Sequence, residues 1–138
     1  MNKTLITFFT VLFCLTSSVG WSLEYKDLVE RDGIYYKKFS DVPFTGKTTG
    51  KVQGTFKNGK LEGSFVLYHD NGQLFYKGDY RNGEKDGSWI TYHDNAQLCN
   101  KGGFWLGKKE GTWVWYSKDG TITEKLSGNY KNDIKISD

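Results

Sequence analysis

A chain of 138 residues with a formal net charge of +3 has room for one domain, and its 19 basic and 16 acidic residues are scattered rather than gathered into a basic stripe, so no nucleic-acid partner is expected. Two cysteines and two histidines are too few to form a metal-ligand cluster on their own, and nothing in the composition calls for a cofactor. The outlier is 9 Phe, 9 Tyr and 5 Trp beside 17 Gly, a composition that suits many short strands whose rings cover glycine backbone.

The chain opens with Lys3, an apolar run from Leu5 to Leu15 interrupted only by Thr7 and Thr10, and the small residues Ser18 and Gly20. This is the layout of a secretory signal peptide over residues 1–20, and the run is too short for a membrane span. Cleavage after Gly20 fits best and after Ser22 next; a retained membrane anchor is the alternative. Lipidation of Cys14 is disfavoured by the bulky Phe13 before it. The expected location is periplasmic or secreted. Loss of the leader leaves Cys99 as the sole cysteine, so no internal disulfide is expected and stability must come from packing.

Residues 21–53 read as a capping hairpin and a lead-in. Asp32-Gly33 separates Leu28–Arg31 from Ile34–Lys37, a two-residue hairpin signal. Ser40 to Pro43 forms a turn around the only proline, and a longer strand carrying Gly46, Gly50 and Gly54 follows.

From residue 54 to 133 the sequence repeats every 24 residues, lengthening to 26 in the third unit, and a partial fourth unit closes the array. Gly54, Gly59 and Gly63 recur as Gly78, Gly83 and Gly87 and again as Gly102, Gly107 and Gly111. Phe56, Tyr80 and Phe104 share one position; Phe65, Trp89 and Trp113 share another. Asn58-Gly59, Asn82-Gly83, Asn71-Gly72 and Asp119-Gly120 are hairpin turns, because Asn, Asp and Gly tolerate positive φ. Six to eight strand-forming residues lie between turns, and glycine at this frequency argues against helix. The expected fold is all-β: a single extended up-and-down antiparallel sheet of consecutive hairpins, with residues 134–138 as a polar tail.

Alternation along the second strand of each unit places Phe65, Trp89, Trp113 and Trp115 on one face and Tyr68, Tyr92 and Tyr116 on the other. These seven residues are the candidate aromatic binding face. Two readings stand side by side: the rings are the core, or one stripe stays open to a partner. No catalytic residue is expected. His69 and His93 are one repeat position, and so are Glu62, Asp86 and Glu110, which reads as architecture rather than as an acid–base pair.

The units resemble the MORN-repeat variant of bacteria. Tyr80, Asn82-Gly83, Gly87, Trp89, Tyr92 and Gln97-Leu98 match its pattern, as do Phe56, Asn58-Gly59, Gly63, Phe65, Tyr68 and Asn71 to Leu74. Residues 28–46 look like the lead-in of exported members. Ala96, Leu106 and the insertion near Thr123 depart from the pattern. The resemblance implies hairpin repeats and transfers no catalytic residue. Bacterial members are commonly labelled as the antitoxin of a YwqK-like toxin–antitoxin module, and eukaryotic arrays are described as protein scaffolds or membrane-lipid binders. The expected function is therefore that of an exported, non-catalytic protein-binding module, antitoxin- or immunity-like. Binding of an envelope lipid surface or a glycan through the rings is the alternative.

Overall fold

The structure is a computed structural model that describes residues 23–138, so the expected leader and its two cleavage sites lie outside the described residues. Twelve strands are present: β1 (Leu23–Glu24), β2 (Leu28–Arg31), β3 (Ile34–Lys37), β4 (Gly46–Thr49), β5 (Val52–Lys57), β6 (Lys60–Tyr68), β7 (Leu74–Arg81), β8 (Glu84–Tyr92), β9 (Leu98–Trp105), β10 (Lys108–Trp115), β11 (Gly128–Lys131) and β12 (Ile134–Ser137). The only helical element among the described residues is a 3-10 turn at Tyr25–Asp27. Ten strands form one open sheet in the order β1-β4-β5-β6-β7-β8-β9-β10-β11-β12. From β4 onward it is an up-and-down antiparallel array, as the repeat predicts.

Three details differ from expectation. The hairpin β2–β3 does not extend the main sheet but forms a separate two-stranded sheet. The lead-in is not one strand; Gly50, at φ 82°, folds it into the hairpin β4–β5, braced by the Gly54 N–H donating to Thr48 Oγ1 at 3.0 Å. Residues 134–137 are not a tail but the outermost strand, paired with β11.

The local rules are those of the turns. Asp32-Gly33, Asn58-Gly59, Asn82-Gly83, Leu106-Gly107 and Asn132-Asp133 all place two successive residues at positive φ, the backbone of a two-residue hairpin loop. At the opposite end of the array the loops are longer: His69 N–H donates to Gln73 O and Gly72 N–H to His69 O, and the next unit repeats this with His93, Ala96 and Gln97. The second strand of each unit carries a bulge, with Glu110 to Val114, for example, spanning the same length of pairing as Gly103 to Lys101. Gly63, Gly87 and Gly111 sit in these bulges at φ 79°, 67° and 74°.

The core is a row rather than a centre. Leu28, Phe44, Phe56, Leu61 and Phe65 form one buried cluster, closed from above by the N-terminal segment: Tyr35 lies edge-on to Phe56 with ring centroids 5.2 Å apart. Trp89, Trp113 and Tyr130 form a second, and Tyr76 and Tyr80 pack against both.

Candidate functional site

The residues of the ring-bearing face follow from pairing and alternation. Phe56, Leu61, Phe65, Tyr76, Tyr80, Lys85, Trp89, Phe104, Lys109, Trp113, Trp115 and Tyr130 share it. From Phe65 to Tyr130 the rings run unbroken across six strands, with centroids 5.0–5.7 Å apart. Trp89 and Trp113 each lie on the strand beside them where a glycine leaves the backbone bare. A Cβ on Gly78 would overlap the Trp89 indole, and one on Gly102 would overlap that of Trp113. Both indoles are also tied down: Trp89 Nε1–H donates to Asp79 O at 3.1 Å and Trp113 Nε1–H to Gly103 O at 3.0 Å.

This geometry divides the seven expected binding residues. Phe65, Trp89 and Trp113 are only 5%, 3% and 3% exposed, so they are core and offer a partner little surface. Their expectation as open contact residues is corrected: glycine backbone beneath and neighbouring rings beside them cover them within the sheet. Trp115 is half-buried and stacks on Trp113 at 5.0 Å, so it belongs to the row with a side still open. Tyr68, Tyr92 and Tyr116 are half-buried on the opposite face and take no part in the row.

Sequence reading missed what lies over the row. One repeat position is Leu61, Lys85, Lys109 and Lys135 in successive units. Leu61 is buried beneath the N-terminal segment. Lys85 Nζ instead lies 4.4 Å from the Trp89 ring centroid and 5.0 Å from that of Phe104. Lys109 Nζ lies 4.6 Å from Trp115, 5.2 Å from Tyr130 and 5.4 Å from Trp113. An ammonium over a ring face is attracted by the ring quadrupole. Burial, and then the Lys109 charge nearby, hold the Lys85 amine below the ordinary lysine range. Neither lysine has a carboxylate within ion-pair distance among the described residues; Lys135 is paired with Asp138. No strand residue on the ring face from β5 to β12 is acidic, whereas Glu62, Asp79, Asp86 and Glu110 all point to the other side.

No family model matches the chain, and no curated protein matches it. Among solved structures it is similar to a crystal structure of a GtfA/B complex bound to UDP and GlcNAc, at 14% identity over 81% of this chain and 23% of that one, with a TM-score of 0.25. The chain thus spans about a quarter of that protein's length. So slight a likeness carries nothing about activity.

His69, His93, Glu62 and Glu110 join one unit to the next, whereas Asp86 pairs with Arg81 inside its own hairpin. His69 Nε2 lies 3.0 Å from Tyr92 O, and His93 Nε2 lies 2.8 Å from Tyr116 O. A carbonyl only accepts, so Nε2 carries the proton in both rings. Glu62 accepts from the Asn82 N–H at 2.7 Å and Glu110 from the Asn132 N–H at 3.1 Å. Asn71 and Asn95 donate from Nδ2 to Asp94 O and Lys118 O.

Proposed function

We propose that this chain is an exported, non-catalytic protein-binding module that receives its partner on the ring-bearing face of β7–β12. One observation carries the reading. Over β5 and β6 the row is closed from above, whereas around Trp89 and Trp113 the described residues lay only the row's own rings and two lysines over it, and at Tyr130 the Leu126 carbonyl accepts from the phenol. Half-buried aromatic surface beside fixed cations is the chemistry of an interaction face. The engagement of His69, His93, Glu62 and Glu110 in bracing the repeats supports a binding rather than a catalytic role. An antitoxin- or immunity-like role is one form such binding takes, consistent with the resemblance of the repeats to the bacterial MORN variant.

The test is photo-crosslinking in the cell. A benzophenone side chain is placed at Trp115, on the ring face, and separately at Ile90, on the opposite face. A single stoichiometric protein adduct in the envelope or secreted fraction from position 115, and none from 90, is expected. Adducts from neither position, or from 90 alone, would overturn the reading.

A further inference from the structure

We infer that the ring face takes an acidic segment of its protein partner in polyproline-type conformation, laid across the strands with a carboxylate on every third residue facing Lys85 and Lys109. The inference rests on the protein-binding reading above and names the chemistry of the partner.

Three observations lead to it. The first is charge: the ring face carries two ammonium groups without carboxylate partners among the described residues, while the strand acids Glu62, Asp79, Asp86 and Glu110 sit on the opposite side. The second is spacing. Lys85 and Lys109 are one repeat apart on β8 and β10, and strands two apart in a sheet lie about 9.6 Å from each other. A polyproline segment advances about 3.1 Å per residue, so every third residue returns to the same side after about 9.3 Å. An extended β-strand repeats its facing side chains at about 6.7 Å and meets only one of the two lysines in register. The third is the floor. Between the lysines run Trp89, Phe104, Trp113 and Trp115, of which Phe104 and Trp115 are half-buried and keep a side open, and an aromatic-lined groove is what receives a preformed polyproline helix. The N-terminal segment closes the lane over Phe56 and Leu61, so the docked segment lies over β7 to β12.

The purified protein is titrated into a fluorescein-labelled peptide of four Glu-Pro-Pro triplets, with anisotropy as the readout. A peptide of the same composition with its glutamates contiguous is the control, and phosphatidylglycerol vesicles form a separate arm. The periodic peptide is expected to bind, to weaken with salt, and to lose about tenfold in affinity in K85Q/K109Q. Equal binding of the contiguous peptide, no binding of the periodic one, or binding of vesicles alone would overturn the inference. If K85Q/K109Q loses its strand signal in circular dichroism, a Lys-Pro-Pro peptide replaces it: the native protein must reject that peptide, and equal binding overturns the inference. A Trp115 crosslink to a partner together with failure of the periodic peptide removes this inference and leaves the binding-module reading standing.

Discussion

Within the repeats, Leu106 and Ala96 hold conformations their side chains do not favour. Leu106 takes φ 49° at a turn where the neighbouring units use asparagine, and Ala96 takes φ 64° where they use glycine. A left-handed residue with a Cβ costs about 1–2 kcal/mol. Leu106→Asn, in a side chain already 61% exposed, is therefore expected to stabilise the protein by about 1 kcal/mol, read from the midpoint of chemical denaturation. Tyr80 works in the opposite sense. Burial first, and then nearby tyrosines, push its phenol up to about 12 from the ordinary 10.0. Its folded pKa exceeds its unfolded one, so the stabilisation is complete below pH 10 and is lost as pH rises towards 12. Tyr80→Phe keeps the ring contacts to Phe65 and Trp89, and in a denaturation series across that window it is expected to flatten the decline.

At the scale of one hairpin the architecture is glycine beneath ring, tip braced to tip. Gly78→Ala forces a methyl into the Trp89 indole, and Gly102→Ala does the same at Trp113. Either is expected to cost about 1–3 kcal/mol in thermal or chemical denaturation. His69→Ala removes the hydrogen bond to Tyr92 O and the ring contact with Phe75, and is expected to cost about 1–2 kcal/mol. These elements differ in how plainly the sequence spells them. Asn58-Gly59, Asn82-Gly83 and Asp32-Gly33 announce their turns because only a few residue types tolerate that backbone, and Gly78 and Gly102 announce that a ring passes over them. The bulges at Gly63, Gly87 and Gly111 stayed hidden, since a glycine amid strand residues reads equally well as part of a turn. The lysines over the rings were hidden for a related reason: Lys85 and Lys109 sit beside turn residues, and only the pairing with Tyr80 and Phe104 turns them inward. Burial of Trp89 and Trp113 was not legible either, because alternation names a face without saying how deep a ring lies in it.

As a whole the molecule is a line of similar units, each touching mainly its neighbours, and such arrays tolerate loss of a unit when the register is kept. Deleting residues 78–101 joins Lys77 to Gly102, which continues the sequence as Lys101 does. The shortened protein is expected to keep its strand signal and unfold in one cooperative transition at a lower temperature. Loss of the strand signal would mean that the two buried clusters depend on each other more than unit-by-unit packing allows, and unfolding in two steps would mean that the deleted unit is what couples them.

Among the described residues no second sheet or helix covers the last strands of the open sheet, and that changes what being inside means here. In a globule, an amide is shielded from solvent exchange by its depth. Here shielding comes from rank in the line. Strand β12 borders solvent along one edge, with Ile134 and Ile136 exposed at 68% and 63%, while the first strands lie under the N-terminal segment. Amide deuteration should therefore sweep through the protein as a front, entering at β12 and reaching β6 last. Time of labelling would then read out position along the chain rather than distance from a centre.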